Sequence, residues 1–220
     1  RRAINSEVLD RVIVASGDDE ILNTIDTYGG DCVKTYKRHI NGTSRAAEAI
    51  ESLDCTHILL IQGDEPLVQK THLEKIVKDI RSHPNKDSWN STSEIKSEGE
   101  LNNKNIVKAA INEKQRILYC FRRNPSINNV QNQLGYIKKV QGLIAYKKKV
   151  LLELAELPEA KCEKAESIEQ LRILANGYNL YSVHQKTQVP SVNVEEDINE
   201  IYKYLEHNRN EYNISKQIVN

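Results

Sequence analysis

Two adjacent carboxylates, Asp64 and Glu65, follow a short apolar run of the sequence, residues 58–61, after Gln62 and Gly63. A run that is apolar on both faces is typical of a buried parallel strand, and Pro66 prevents that strand from continuing. In open α/β sheets, ligands bind outside the carboxyl ends of the strands, where these acids would lie. A carboxylate there suits Mg²⁺, which takes one or two carboxylates together with phosphate oxygens. The alternative is a polar turn that only ends the strand.

A second polar group, Gly42-Thr43-Ser44, stands immediately before a strongly helical segment that starts at Arg45. The free N–H groups and the positive dipole end of a helix N-terminus favour an anionic or polar partner. The alternative is an ordinary Thr or Ser cap beside a solvated arginine. This segment lies one strand–helix unit before Asp64, so we expect both groups at the same edge of the sheet.

The elements that must position these residues alternate along the first part of the chain. Strands are predicted at 12–15, 31–35 and 58–61, and helices at 20–28, 45–53 and 73–80. Asp18 or Asp19 is expected to cap the first of these helices, and Thr43 or Ser44 the second. Alternating strands and helices with short connections predict an α/β fold, doubly wound and Rossmann-like, with a mainly parallel sheet.

The second half of the chain has a different pattern. Residues 82–103 are polar and predict a loop or a weakened strand, and the tail after Asn208 is expected to fray. Residues 106–150 are expected to form a smaller, partly antiparallel lobe inside a single domain that spans residues 1–220. A hairpin is predicted at 106–120, strands at 136–146 and 178–183, and helices at 148–157, 163–176 and 195–205.

The composition argues against several classes of protein. Thirty-one basic and thirty-one acidic residues give no net charge, so nothing indicates a nucleic-acid partner or a membrane surface. There is no secretory signal, and no apolar run approaches the length of a membrane span. The four cysteines form no C-x-x-C pair, which argues against a zinc site or a disulfide framework and favours a cytoplasmic protein.

Several sequence blocks occur in the order in which one enzyme family has them. They are GTSRAAE at 42–48, QGDEP at 62–66, NKNIVK at 103–108, YCFR at 119–122, GLIAY at 142–146, EKAESIEQLR at 163–172 and VNVEEDI at 192–198. Over roughly residues 1–204 the chain resembles 3-deoxy-manno-octulosonate cytidylyltransferase, also called CMP-Kdo synthetase. The CMP-sialic acid synthetases share that fold but resemble the chain less in the QGDEP and EQLR blocks.

This resemblance implies a specific reaction. CMP would pass from CTP to the anomeric hydroxyl of a 2-keto-3-deoxy sugar acid, Kdo or a related ulosonic acid, with release of pyrophosphate. Such a step supplies precursors of lipopolysaccharide or surface polysaccharide. The resemblance also implies Mg²⁺ as cofactor and a homodimer, whose contact we expect at the apolar strand 140–146 and the helix 163–176.

The resemblance also assigns roles to individual residues. Asp64 would be the principal, catalytic metal ligand, and Asn193 would hold the second metal position. The nucleotide side would comprise Gly42, Thr43, Arg45 and Gln62, and the sugar side Arg122, Glu169 and Gln170. Arginine pairs with a carboxylate in bidentate fashion, and an acid–amide pair suits sugar hydroxyls. The alternative for Glu169 and Gln170 is a solvated helix face.

The chain departs from the family pattern in three ways. The family's first strand and phosphate loop are absent, and the chain has no methionine, so we expect upstream residues and methionines to be missing from this sequence. Without that loop the chain should not catalyse alone. Asn193 replaces an aspartate and brings no charge to the metal. Val140 and Ile144 replace a histidine and a tyrosine near the sugar, which leaves the identity of the sugar open.

Three functions therefore remain open at this stage. The first is a cytidylyltransferase for Kdo or a related ulosonic acid. The second is a catalytically silent relative that binds nucleotide or sugar. The third is an enzyme that resembles a CMP-sialic acid synthetase.

Overall fold

The computed structural model describes residues 1–125, 130–192 and 194–219. Strands β1 to β8 span Ile13–Ser16, Asp31–Lys34, His57–Ile61, Ser88–Glu94, Lys108–Ile111, Ile117–Phe121, Ile137–Lys147 and Leu180–His184. Helices α1 to α10 span Asp19–Thr27, Gly42–Ile50, Lys70–Ser82, Glu98–Asn102, Val130–Leu134, Lys148–Glu156, Lys161–Glu166, Gln170–Ala175, Asp197–His207 and Arg209–Val219. Within these ranges no helix has the length and apolar character needed to cross a membrane.

The main sheet has six strands and is built around β7. The order is β6-β5-β7-β4-β8, and β3 pairs with β7 as well. Strands β3, β4 and β5 are each antiparallel to β7, and β8 is parallel to β4, so these four strands run in one direction. The predicted α/β fold is confirmed, and β7 makes its sheet mixed. The segment 106–150 contributes β5, β6 and β7 to this same sheet.

Strands β3 and β5 meet end to end along one edge of β7. Ile61, the last residue of β3, pairs with Leu143, and Lys108, the first residue of β5, pairs with Lys139. Residues 140–142 of β7 therefore lie opposite the gap between the two strands. Main-chain hydrogen bonds close this gap from both sides, from Gln62 N to Gly142 O at 3.0 Å and from Val140 N to Val107 O at 2.9 Å. The carboxyl end of β3 thus faces the start of β5.

Helices cover both faces of the main sheet, as a doubly wound fold requires. One core lies between the sheet and α2, α6 and α8, and its most enclosed residues include Leu151 and Leu171. The other core lies against α3 and includes Leu73, Ile76 and Trp89. Strands β1 and β2 form a separate parallel pair. Helix α2 contacts both β1 and β3, so side-chain packing links the two sheets.

Helix α2 begins earlier than predicted and has a different cap. The side chain of Asn41 accepts the N–H of Ser44 at 2.9 Å, so Asn41 is the N-cap. Thr43 and Ser44, the predicted caps, lie inside the first turn. The Thr43 side chain is buried and bonds elsewhere, which prevents it from serving the helix N–H groups. In α1 the predicted cap Asp18 is confirmed.

The polar stretch at 82–103 holds a buried strand, so of its two predicted alternatives the strand is confirmed and the loop is wrong. Strand β4 lies between β7 and β8, and six of its seven residues are buried. Most of its polar side chains have hydrogen-bond partners: Asn90 donates to the carbonyls of Gln141 and Leu143 at 2.9 and 3.2 Å, and the Thr92 and Ser182 hydroxyls lie 2.6 Å apart. The Ser93 hydroxyl is buried without a partner among the described residues. Paired polar groups can be buried at little cost. The tail is ordered too, since 209–219 form α10.

The single helix predicted at 163–176 is wrong, because the chain turns sharply at Ser167. That residue has φ 54°, in the left-handed region, and it separates α7 from α8. The turn points the main-chain carbonyls of Glu166 and Ser167 at the Arg122 guanidinium, which donates to them at 2.9 and 3.1 Å. The same turn places Glu169 ahead of α8 instead of in the middle of a long helix.

The surface predicted for a subunit contact is part of the core of this chain. Residues Leu143 to Tyr146 are each at most 3% exposed, because β7 has strands along both of its edges and helices over both faces. In α8, Leu171 is likewise completely buried. Burial within one subunit therefore explains the apolar pattern on both faces of 140–146. The homodimer itself remains a prediction without an assigned surface.

Candidate active site

A cavity of about 1160 Å³ lies where the carboxyl end of β3 meets β5 and β7. Its walls include six of the residues predicted from the sequence: Gly42, Gln62, Asp64, Arg122, Glu169 and Gln170. Gly42 and Asp64 therefore share one edge of the sheet, as expected. Two other predicted residues, Thr43 and Arg45, do not line the cavity. Asn193 lies outside the described residues.

A buried network of side chains forms one wall of the cavity. Glu169 accepts a hydrogen bond from the Thr43 hydroxyl at 2.9 Å and another from the Gln62 amide at 2.9 Å. The hydroxyls of Thr43 and Tyr146 lie 3.1 Å apart. Burial raises the pKa of Glu169, and the bonds from Thr43 and Gln62 oppose that rise. Burial also raises the pKa of the Tyr146 hydroxyl. The network fixes Gln62 and Glu169 relative to α2.

The first turn of α2 approaches this network closely at Gly42. A Cβ at Gly42 would lie 3.3 Å from Gln62 Oε1 and 3.4 Å from Leu60 Cδ2. These distances are tighter than ordinary van der Waals contacts, so a side chain here would push the helix away from Gln62. Glycine therefore lets the start of α2 lie against Gln62 at the wall of the cavity.

Asp64 supplies the carboxylate of the opposite wall. Its Oδ1 is buried and has no hydrogen-bond partner among the described residues. Its main-chain carbonyl accepts the N–H of Val192 at 2.8 Å, which joins the segment after β8 to the end of β3. A buried oxygen without a partner is costly in a folded protein and indicates a position reserved for a ligand or an ion.

Glu65 lies next to Asp64 and contacts β7. Its Oε1 accepts the N–H of Gly142 at 2.9 Å, and a Cβ at Gly142 would lie only 2.5 Å from that oxygen. Burial is the main factor that raises the pKa of Glu65, and the neighbouring Asp64 carboxylate raises it further. The hydrogen bond from the Gly142 N–H and the positive charge of Lys139 both act to lower it. The contact with Gly142 therefore positions the 63–65 turn, which carries Asp64.

Arg122 is held by main-chain carbonyls at the far end of the cavity. Besides Glu166 and Ser167, its guanidinium reaches the carbonyl of Lys104 at 3.4 Å. These acceptors are uncharged, so the positive charge remains available to an anion in the cavity. Lys108 is fully buried below it, and its ammonium donates to Asn103 O at 2.7 Å and to Arg122 O. Burial lowers the pKa of Lys108.

The α7–α8 wall is fixed by a buried ion pair. Arg172 donates from Nε and Nη2 to the two carboxylate oxygens of Glu163, each at 2.8 Å, and both side chains are 5% exposed. Gln170 donates to Asn90 Oδ1 at 3.0 Å, which ties the start of α8 to β4. Because of these bonds, Glu169 and Gln170 are held in place, and the solvated-face alternative does not apply to them.

Arg45 points away from the cavity. Its guanidinium donates to the Thr35 hydroxyl at 2.6 Å, which links α2 to the end of β2. Thr43 likewise reaches the cavity only through Glu169. The structure thus places these two predicted nucleotide contacts behind the walls, where they position α2.

Several residues that shape the site were missed in the sequence. Lys108, Gly142 and Glu163 lie inside the matched blocks, so those blocks could have pointed to them. For Lys139, which also lines the cavity, the sequence held no such signal.

Comparison with known proteins identifies the family. A family model described as "Cytidylyltransferase" matches residues 1–188. The 3-deoxy-manno-octulosonate cytidylyltransferase of Fusobacterium nucleatum is 30% identical over 203 residues, covering 91% of this chain and 82% of the relative. The enzyme of that name from Chlamydia caviae is 32% identical over 205 residues, covering 92% and 80%.

Solved structures agree with this assignment. A CMP:2-keto-3-deoxy-manno-octonic acid synthetase complexed with CTP has a TM-score of 0.86 at 26% identity, covering 94% of this chain and 85% of that one. The 4-diphosphocytidyl-2C-methyl-D-erythritol synthase of Anaerococcus prevotii has a TM-score of 0.61 at 14% identity, covering 93% and 85%, and shares the fold alone. The predicted nucleotidyltransferase fold is confirmed, and the chain belongs to the family of the 3-deoxy-manno-octulosonate cytidylyltransferases.

Proposed function

We propose that this chain transfers CMP from CTP to the anomeric hydroxyl of Kdo, with release of pyrophosphate, in the synthesis of lipopolysaccharide precursors. The observation that carries the proposal is the unpartnered Oδ1 of Asp64, at the end of β3, in the cavity that also holds Arg122 and the Glu169–Gln170 pair. Membership of the family supports the same reaction.

The chemistry requires mostly positioning and neutralisation of charge. The anomeric oxygen of the sugar acid attacks the α-phosphorus of CTP, one P–O bond forms, and the bond to the β-phosphate oxygen breaks. The hydroxyl proton is lost and pyrophosphate leaves. Because the phosphates repel an anionic sugar acid, cationic groups must hold both reactants in line. The cavity combines a carboxylate for a metal with separate groups for each reactant.

The residues present fit Mg²⁺. Asp64 offers an unpartnered carboxylate oxygen, and the part of the chain that the structure describes contains no group of three or more His, Cys, Asp or Glu residues able to hold a metal. Magnesium suits such a site, because it takes one or two carboxylates and completes its shell with water and phosphate oxygens. When bound, the ion would neutralise phosphate charge. The family resemblance assigns the second ligand position to Asn193.

The nucleotide is assigned to the wall formed by α2. Gly42, the first residue of the helix, lines the cavity against Gln62, so the positive end of the helix dipole lies at this wall. Thr43 and Arg45 act as positioning residues for this helix, the first through Glu169 and the second through Thr35. Gln62 is the side chain that faces both the nucleotide and Glu169.

The sugar acid is assigned to the wall formed by β5, α7 and α8. Arg122 pairs with its carboxylate, and Glu169 and Gln170 bond its hydroxyls. Of the two family positions that carry apolar residues here, Val140 lines the cavity whereas Ile144 is buried. Val140 offers no hydrogen bond to a sugar hydroxyl, so we expect weaker discrimination among related ulosonic acids than a histidine would give.

Two further properties complete the proposal. The enzyme acts as a homodimer, which light scattering at micromolar concentration would test; a clean monomer would contradict it. It works in the cytoplasm, since the reaction consumes CTP.

The test is pyrophosphate release from CTP by the full-length protein across a magnesium series, with Kdo, N-acetylneuraminic acid and other 2-keto sugar acids as acceptors. We expect turnover that requires magnesium and is fastest with Kdo. A preference for N-acetylneuraminic acid would favour the sialic acid alternative. If no acceptor supports turnover, the protein is a catalytically silent relative and the proposed function is wrong. Asn193→Asp should lower the magnesium concentration needed, because it adds a charge to the second ligand.

A further inference from the structure

Two neighbouring lysines on β7 have different environments. Lys138 donates to the Glu94 carboxylate at 2.8 Å and lines a second, separate cavity of about 720 Å³. Lys139 lines the active-site cavity with Asp64 and Glu65. Successive side chains of a strand point to opposite faces of its sheet, so one strand presents the two ammonium groups to different surroundings.

Lys139 is half-buried and has no carboxylate partner. Among the described residues no Asp or Glu oxygen lies within 4.0 Å of its ammonium group. The other basic residues of the cavity do have partners: Arg122 is held by main-chain carbonyls, and Lys164 lies 3.8 Å from Glu159. A charge that is partly removed from water without a partner is costly, so an anion bound in the cavity would stabilise this ammonium group.

The position of Lys139 indicates which anion this is. Val140 packs against the core of α2, α6 and α8, so Lys139 projects from the other face of β7, away from the wall that holds Glu169. Its charge acts instead on Glu65, the neighbour of Asp64. A phosphate bound to a metal at Asp64 would lie in this part of the cavity, whereas the carboxylate assigned to Arg122 would not.

We propose that Lys139 is a further substrate-binding residue, whose ammonium group contacts a phosphate oxygen of CTP beside Asp64. The proposal rests on the proposed function for the identity of the nucleotide. A lysine suits this position, because it presents a compact charge on a flexible stem and accommodates phosphate oxygens as a point charge. It adds a protein cation on the metal side of the cavity, where Arg45 is turned away.

Lys139→Gln is the test variant, and Lys138→Gln is the matched control one residue away. Calorimetry of CTP binding to the full-length protein, without sugar acid and with a chelator present, measures the contact without turnover. A hydrogen bond to a charged group is worth about 1.5–3 kcal/mol, so Lys139→Gln should weaken CTP binding roughly ten- to hundredfold. Lys138→Gln should leave CTP affinity unchanged, and Lys139→Arg should retain most of it.

Steady-state kinetics then distinguishes an effect on CTP binding from an effect on sugar-acid binding. In Lys139→Gln we expect a raised KM for CTP and an unchanged KM for the sugar acid. Unchanged CTP affinity, an equal loss in both glutamine variants, or a rise confined to the KM for the sugar acid would each overturn the proposal. Lys139→Met, which keeps the apolar stem, serves if the glutamine variant fails to fold. A wild type that binds CTP but releases no pyrophosphate would refute the proposed function and leave this affinity test intact.

Discussion

Thr43, Gln62 and Glu169 bond to one another on one wall of the active-site cavity, whereas Asp64 and Lys139 on the other wall lack such partners. On the first wall each carboxylate oxygen of Glu169 already accepts a hydrogen bond from the protein. The second wall leaves one oxygen and one ammonium group to be satisfied by whatever binds. The difference separates side chains that the protein itself holds in place before any ligand binds from groups that only substrate or metal can satisfy.

The largest effect on activity is expected at the wall that lacks partners. Asp64→Ala should lower kcat by about 10²- to 10³-fold or more, because phosphoryl transfer depends on neutralisation of phosphate charge. The free energy of unfolding should stay the same or rise, since the substitution removes a buried oxygen that has no partner. Pyrophosphate release and chemical denaturation measure the two quantities. A large loss of stability would show that Asp64 supports the fold and would break the contrast between the walls.

The next effect is a loss of stability at the wall that is already paired. Thr43→Val removes a hydroxyl that serves both Glu169 and Tyr146, and it should cost about 1–3 kcal/mol of unfolding free energy. Thr27→Val is the control, because the Thr27 hydroxyl bonds only the Asn23 carbonyl on an exposed helix face. Denaturant unfolding of both variants measures the difference. Equal losses would mean that the buried network contributes nothing beyond a helix-surface hydroxyl.

The smallest effect concerns pH. Burial raises the pKa of Glu169, so the folded protein holds its proton more tightly than the unfolded chain does. Protonated Glu169 therefore contributes its whole share of stability at pH values below the ordinary carboxyl pKa. This contribution is lost as the pH rises through the raised pKa of the folded state. Glu169→Gln removes this titration, so the stability of the variant relative to wild type should increase with pH. The measurement is the free energy of unfolding of both proteins across a pH series. A difference between them that does not change with pH would contradict this prediction.

The parts of the fold that could be predicted from the sequence depend on local signals. The apolar runs near Val14 and Leu60 predicted β1 and β3, and Asp18 predicted the start of α1. For residues 82–103 the sequence left a loop and a weakened strand open, because the buried residues of β4 are polar and the acceptors that make this burial tolerable lie far along the chain, in β7. The break at Ser167 was missed because helix periodicity continues across it, and the contact with Arg122 is long-range.

The same distinction between local signals and long-range contacts applies to the candidate site. Gln62, Asp64 and Glu169 could be found because they lie in blocks that resemble a family. The sequence could not show that Thr43 bonds to Glu169, or that Arg45 turns toward Thr35, because these contacts depend on how α2 packs. Lys139 was missed because adjacent lysines look alike until the strand separates their faces.

The shared edge of β7 has a consequence for how the family can change over evolution. Strands β3 and β5 take their register from the same eleven residues, so an insertion or deletion within Ile137–Lys147 would flip side chains in both halves of the site at once. Length variation should therefore be purged from β7, because one residue gained or lost there would disturb both walls of the cavity together.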